Sequence, residues 1–303
     1  MIRVENLNKS YAGVAAVIDL SFDVPAGENL VLLGTSGCGK TTTLRMINRL
    51  IMPDSGRVFI NNSDTSLEKP EILRRGIGYV LQNHGLFPHY TVLENIAVVP
   101  KLLNWDNAAI HKRADELLVK LKLDLSLKTA YPAALSGGQQ QRVGLARALM
   151  VDPPVLLMDE PFGALDTITR MHIRRDFLEL DELVRKTIIM VTHDVQEAFE
   201  LGDRICLMDK GCMVQIGRPE ELLFKPENTF VKDFFSDHRL QLELKSVKVS
   251  TLFSVKGGGG DISVWDKMDL LLNGNCRAEQ TQEIEALMNA FMAYKIPKHG
   301  AER

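Results

Sequence analysis

The sequence predicts an α/β fold: a mostly parallel sheet flanked by helices, with an N-terminal antiparallel β subdomain, a helical subdomain and a small C-terminal appendage. Three observations predict it. Asn29 to Leu33 reads as a buried strand, Gly34 to Lys40 as a glycine-rich loop and Thr41 to Asn48 as a helix, in direct succession. The apolar run Val155-Leu156-Leu157-Met158 and the β-branched run Thr187 to Val191 end respectively at Asp159-Glu160 and at Thr192-His193-Asp194. The opening segments Ile2 to Asn6 and Leu20 to Val24 alternate apolar and polar residues, as half-buried strands do.

Size and composition bound the rest. The chain has 303 residues, 45% hydrophobic and 25% charged, the range of a globular protein with one or two domains. A net charge of −3 gives no basic footprint, so nucleic acid is not an expected main partner. The four cysteines, Cys38, Cys206, Cys212 and Cys276, form neither a metal-ligand spacing nor a dense framework, and read as reduced cytosolic thiols. Met1 to Glu5 lacks the apolar core of a signal peptide, and no run of about 18 apolar residues predicts a membrane span.

Taken in order, Pro25-Ala26-Gly27-Glu28 is a turn that feeds the strand before the loop. Tyr11 is placed in the loop between the first strands, and its ring alone leaves two readings, stacking on a purine or packing on the loop. Gly34-Thr35-Ser36-Gly37-Cys38-Gly39-Lys40-Thr41 fits the phosphate-binding pattern G-x-x-x-x-G-K-[ST] at every fixed position. Its glycines let backbone N–H groups face a triphosphate, and the helix start adds a positive dipole end. Lys40 can reach the β- and γ-phosphates, and the Thr41 hydroxyl can reach Mg²⁺.

Strands are expected at Arg57 to Ile60 and Ile77 to Leu81, the second delivering Gln82 to the carboxyl edge of the sheet. Taken alone, that glutamine reads better as a solvated loop amide. Gly85-Leu86-Phe87-Pro88-His89 is an apolar loop, either a contact surface or packed on its own domain. Thr91-Val92-Leu93-Glu94 has the capping-box form, and Asp106 caps a helix whose Ile110, Ala114, Leu117, Leu118 and Leu121 share a face. The stretch from about 84 to 150 thus reads as a mostly helical insertion. Within it, Ser136 caps a helix reaching about Met150, and Ser136-Gly137-Gly138-Gln139 is either a second anion site or a plain capped turn.

Asp159 and Glu160 at the end of a buried strand call for a cation or donors, because an unpartnered buried carboxylate is costly. Asp159 suits Mg²⁺, and Glu160 can activate water. A helix starts near Thr167 after Gly163-Ala164-Leu165-Asp166. His193 falls at the same edge as Gln82 and Asp159, and Asp194 with Glu197 makes a box-like cap. A hairpin around Asp209-Lys210-Gly211-Cys212 and helices near Pro219 to Leu223 and Thr229 to Phe235 follow. Beyond about Arg239 come Gly257 to Gly260, a flexible break, and an amphipathic helix marked by Ile284, Leu287, Met288 and Phe291.

In combination these residues resemble a family. Gly34 to Thr41, Gln82, Leu135 to Gln139, Val155 to Glu160, Ala164-Leu165-Asp166 and His193 stand in the order and spacing of an ABC transporter ATPase subunit. The resemblance covers about residues 1–240. Thr43 to Leu50, Gly85 to His89, Val99 to Trp105, and Phe162 to Asp166 followed by Ile168-Thr169-Arg170 look like the importers of osmoprotectants such as glycine betaine, choline or carnitine.

The resemblance implies a P-loop NTPase core over residues 1–239 and an extension over 240–303. It implies that Tyr11 stacks on adenine, that Lys40, Thr41 and Thr42 contact phosphate and Mg²⁺, and that Gln82 touches Mg²⁺ and the attacking water. It makes Asp159 the Mg²⁺ aspartate, Glu160 the general base and His193 the γ-phosphate histidine. Ser136 and Gly138 belong to a signature that closes on a nucleotide held by another subunit, in a head-to-tail pair, with Asp166 where it could link the two sites.

The implied partners are that second subunit, membrane permeases and, indirectly, a solute-binding protein, placing the chain at the cytoplasmic face of a membrane. Osmoprotectant members often carry paired CBS regulatory modules. The roughly 60 residues after Arg239 are too few for a pair, and Ile262 to Asn273 reads as a degenerate remnant of one. The alternatives are an importer of amino acids or other small solutes and a non-transport member in DNA repair or translation. Non-transport members commonly carry two ATPase units or a long coiled-coil insertion, which this chain lacks.

Overall fold

In the computed structural model, residues 1–83, 85–253, 262–273 and 278–299 are described. The glycine run Gly257 to Gly260 and Cys276 lie outside them. Two compact units divide the chain, Met1–Met213 and Val214–Arg303. The change of character read at Arg239 therefore falls inside the second.

The first unit opens with an antiparallel sheet of β1 (Ile2–Tyr11), β2 (Val14–Val24), β4 (Ser55–Ile60) and the short β5 (Ser63–Asp64), in the order β2-β1-β4-β5. Both early strands run longer than their alternation suggested. The β1–β2 register shifts between Val4 and Leu7, beside Asn6 at φ 47°, and Asp19 on β2 has φ 45°. Each irregularity breaks the apolar/polar rhythm while pairing continues beyond it. Tyr11 is consequently the last residue of β1, paired with Val14, rather than a loop residue.

The core of the unit is formed by the strands β9-β3-β8-β7-β6 of a sheet in the order β10-β9-β3-β8-β7-β6, whose edge strand β10 continues past Met213. The sheet comprises β3 (Asn29–Gly34), β6 (Ile77–Val80), β7 (Val155–Asp159), β8 (Thr187–Val191), β9 (Arg204–Asp209) and β10 (Cys212–Gly217). The pairings β3–β8, β3–β9, β7–β8 and β6–β7 are parallel. Every residue of β7 and β8 is buried, which explains why they read as continuous apolar or β-branched runs rather than alternating ones. At the end of β9 the chain reverses through Lys210 (φ 45°) and Gly211 (φ 85°), the left-handed pair that a two-residue hairpin needs.

Helices fill the connections: α1 (Lys40–Ile47), α2 (Pro70–Arg75), α3 (Val92–Ile96), α4 (Val98–Leu102), α5 (Asn107–Lys120), α6 (Gly137–Leu149), α7 (Thr167–Leu178) and α8 (Val195–Leu201). Thr91 and Glu94 form the capping box of α3, and Asp106 caps α5 through Ala109 N. The predicted face of α5 is the buried one: Ile110, Ala114, Leu117 and Leu118 are each at most 3% exposed. Asp194 caps α8, but Glu197 does not complete a box; it accepts from Thr192 Oγ1 at 2.6 Å instead. A nearby hydroxyl on the preceding strand end captured the carboxylate that the backbone would otherwise have held.

The second unit holds α9 (Pro219–Phe224), α10 (Thr229–Phe234), α11 (Arg239–Ser246), α12 (Val249–Leu252), α13 (Val264–Asn273) and α14 (Ala278–His299). Leu287 and Phe291 of α14 are buried, and Phe224 meets Tyr294 edge to face at 6.1 Å. Glu243 is fully buried; it pairs with Arg239 Nε at 2.8 Å and with Lys295.

Candidate nucleotide site

The glycine loop leaves β3 at Gly34 and enters α1 at Lys40. Gly34 (φ 152°) has no room for a side chain: an added Cβ would fall 2.1 Å from Met208 O. Gly39 (φ 101°) is equally closed, with Ala16 O at 2.3 Å from the same added atom. Gly39 is also the N-cap of α1 and offers no side-chain cap. The first-turn N–H groups of Lys40, Thr41 and Thr42 therefore keep their donors open, since no preceding helical carbonyl can reach them. An uncapped helix start behind a glycine loop fits a phosphate group.

Lys40 is 6% exposed, and its Nζ donates to Gly34 O and Thr35 O, each at 2.9 Å. These acceptors are neutral, so the ammonium charge is held in the loop without a carboxylate. Cys38 packs beneath it, 2% exposed, with Sγ 3.7 Å from Nζ. Burial pushes the Cys38 thiol up, against the pull of Lys40. Thr35 Oγ1 donates to Asp209 Oδ1 at 3.2 Å, tying the loop's outer edge to the end of β9.

The acidic pair separates as soon as it leaves β7. Asp159 turns inward, 2% exposed, and accepts from Thr41 Oγ1 at 2.7 Å. Desolvation raises its pKa, with the Thr41 hydrogen bond opposing. A buried carboxylate beside a threonine hydroxyl is an oxygen donor set suited to a hard cation such as Mg²⁺. Among the described residues no cluster of three or more His, Cys, Asp or Glu forms a cation site. A cation here would thus draw further ligands from phosphate and water, as Mg²⁺ commonly does.

Glu160 takes the left-handed conformation at φ 45° while its N–H donates to Val191 O at 2.9 Å. That sparsely populated backbone turns its side chain away from Asp159's path. Glu160 Oε2 accepts from Gln82 Nε2 at 2.9 Å and lies 3.3 Å from His193 Nδ1. Gln82, Glu160 and His193, successively 78 and 33 positions apart in sequence, meet at one point beyond β6, β7 and β8.

Other expected residues stay apart from this cluster. Tyr11 is 45% exposed, with Lys9 Nζ 5.6 Å from its ring centroid. Ser136 and Gln139 form a reciprocal capping box at the start of α6. Among the described residues no hydrogen bond joins Ser136, Gly137, Gly138 or Gln139 to the glycine loop. Asp166 caps α7 through Thr169 N, and that bond lowers its pKa. In the loop of Gly85 to His89, Arg147 Nη1 donates to Gly85 O at 2.7 Å. Buried Asn95 bonds both the N–H and the carbonyl of Phe87, while the Phe87 ring stays 41% exposed.

Asp209, Asn95, Arg147 and Arg170 were not singled out from sequence as parts of this arrangement. Asp209 ends a strand of the same sheet, so the edge rule that found Gln82 and His193 reaches it too. Arg170 stands four residues after the cap Asp166, one helical turn on, and reaches back to Leu165 O at 3.1 Å.

Comparison with known proteins follows the same lines. Residues 17–163 match the ABC transporter family. The osmoprotectant import ATP-binding protein OsmV of Salmonella typhimurium is 51% identical over 245 residues, 79% of this chain and 64% of that protein. The glycine betaine uptake system ATP-binding protein YehX of Escherichia coli is 48% identical over 249 residues, 82% of this chain and 80% of that protein. The chain spans less than two thirds of the length of several curated relatives it matches, OsmV among them. Among solved structures, the dimeric ATP-binding cassette MJ0796 in a post-hydrolysis state, bound to ADP and Pi, superposes with a TM-score of 0.65 at 33% identity. That match covers 72% of this chain and 98% of the cassette. On the family match and on relatives 48–51% identical over most of its length, the chain belongs to the ABC transporter family of ATP-binding proteins.

Proposed function

We propose that the chain is the ATP-hydrolysing, energy-coupling subunit of an importer of quaternary-amine osmoprotectants such as glycine betaine or choline, working with membrane permeases and a solute-binding protein. Residues 1–239 serve as the ATPase domain in this reading, and 240–303 as an appendage. The observation that carries the ATPase reading is the meeting of Gln82 and His193 on Glu160 Oε2, at 2.9 and 3.3 Å, one residue beyond the Asp159–Thr41 pair.

The residues divide the work. The loop amides and Lys40 hold the β- and γ-phosphates, and the exposed Tyr11 ring offers a stacking face for adenine. Thr41 and Asp159 would hold Mg²⁺ with Gln82 near it, and the ion would supply neutralisation of phosphate charge. Glu160 takes the proton from a water in line with the γ-phosphate. Gln82 and His193 fix the carboxylate for that transfer, and His193 reaches the γ-phosphate. Substituting Glu160→Gln keeps the shape and removes the base. ATP binding is then retained while hydrolysis falls roughly 10²–10⁴-fold. Single-turnover assays beside an ATP-binding titration check this, and near-normal turnover would remove Glu160 from the base role.

The solute reading rests on what the relatives' names say they import. Selective binding of quaternary amines uses aromatic cages, and this chain has 6% aromatic residues with two tryptophans, so selection belongs to partners. In a reconstituted complex, glycine betaine or choline should stimulate ATP hydrolysis where proline and sulfate do not. Stimulation by another solute class would move the chain to a different importer.

A further inference from the structure

We propose that Arg170 is a positioning residue: it joins the Leu165–Asp166 turn to the histidine segment, so that movement at that turn resets His193 against Glu160. The proposal rests on the hydrolysis reading above and adds to it a device within the same site.

Arg170 lies on the first turn of α7, and its guanidinium faces two ways. Nη2 donates to Leu165 O at 3.1 Å, gripping the turn that Asp166 closes. Nη1 lies 3.4 Å from Oδ2 of Asp194, the residue that follows His193. Nε is buried without a hydrogen-bond partner, and the nearest carboxylate oxygen, Glu197 Oε1, stands 4.0 Å away. A buried, unsatisfied guanidinium N–H that faces a carboxylate just beyond bonding distance is costly as it stands. It gains a charge-assisted bond if the two segments close by less than an ångström.

The segment it holds is stiff. Asp194 Oδ1 accepts from Gln196 N and Glu197 N, Asp194 N donates to Thr192 Oγ1 at 3.0 Å, and that hydroxyl donates to Glu197 Oε2 at 2.6 Å. His193 sits between two residues of this knot, so its backbone, and with it the point from which the half-exposed imidazole extends, is held. Movement of the knot carries the ring, which lies 3.3 Å from Glu160 Oε2. The path runs from Leu165 O through Arg170 to Asp194 by a hydrogen bond and an ion pair, passes to His193 along the backbone, and reaches Glu160 Oε2 across 3.3 Å. Lysine could keep the charge but could not hold a carbonyl on one side and two carboxylates on the other.

The test uses the full chain with Mg-ATP. Arg170→Lys should lower kcat about 10-fold while the ATP dissociation constant stays within about 2-fold, since the residue touches no phosphate in this account. In a His193→Ala background, the same substitution should cost less than about 2-fold more, because the route ends at that ring. Arg170→Gln, of similar reach and no charge, serves as a second variant, with thermal melts to confirm folding. Losses that multiply in the double variant, or a kcat that follows the melting temperature alone, would overturn the proposal and leave the hydrolysis reading standing. A folded wild-type chain that binds ATP without turning it over would remove both.

Discussion

At the scale of single residues, the loop's glycines are unequal. Gly39 is held at φ 101°, and an added Cβ would sit 2.3 Å from Ala16 O, a backbone atom that cannot swing aside. Gly37 is also left-handed, at φ 79°, but its added Cβ meets nothing within 4 Å. Alanine at Gly37 therefore costs conformational strain of about 1 kcal/mol. Alanine at Gly39 adds the displacement of strand β2 and should cost about 3 kcal/mol or more. Urea titrations of the two variants check the order, and equal losses would show that strain alone governs the loop. The motif covers all these positions. It could not rank them, because the atom that closes Gly39 belongs to a strand more than twenty residues away.

At the scale of elements, the ends of the helices were legible and the bonds between helices were not. Thr91, Asp106, Ser136 and Asp194 were recognisable as starts because a cap and its N–H lie within three residues. The carboxyl edge of the parallel sheet likewise located Gln82, Asp159 and His193, since strand ends carry their own apolar signal. Nothing local announces that Arg113 and Lys120 on α5 clasp Glu182, 69 and 62 positions away. The clasp fastens α5 to the turn after α7. Glu182 is 10% exposed, and the Arg113 hydrogen bond, aided by Lys120, holds its carboxyl down to about 2 from the ordinary 4.5. A folded-state pKa below the unfolded one gives stability that is present above pH 4.5 and is lost as pH falls towards 2. Lys120 is partly exposed, so solvent screening trims the contribution. Glu182→Gln should therefore destabilise the chain by about 1–2 kcal/mol at neutral pH. The gap from wild type should narrow along the acid limb, and urea midpoints at several pH values read it directly. A gap that persisted unchanged near pH 2 would mean that the charge is not what Glu182 contributes.

At the scale of the whole molecule, α1 starts uncapped, while at α6 the Ser136–Gln139 box occupies the Ser136 and Gln139 N–H groups and leaves those of Gly137 and Gly138 ahead of any helical carbonyl; no hydrogen bond among the described residues brings the two starts together. Each presents about half a positive charge from its dipole. One triphosphate on α1 leaves the start of α6 facing outward with exposed Gly137. A second copy, turned head to tail, would give both starts a phosphate to face. This makes pairing depend on ATP, and it makes Gly137 the position that separates pairing from folding. An added Cβ there meets only Leu165 Cδ2, at 3.7 Å, an ordinary contact. A carboxylate at the first turn of α6 favours the helix by about 0.3–1 kcal/mol while repelling an incoming phosphate. The Glu160→Gln chain should accordingly run at twice the monomer mass in Mg-ATP and as a monomer without nucleotide. Adding Gly137→Glu should hold it at the monomer mass, with ATP binding kept and a melting temperature equal or higher. Light scattering on a sizing column reads both states. A chain that pairs equally well with Gly137→Glu would show that the start of α6 does not face the partner's phosphate.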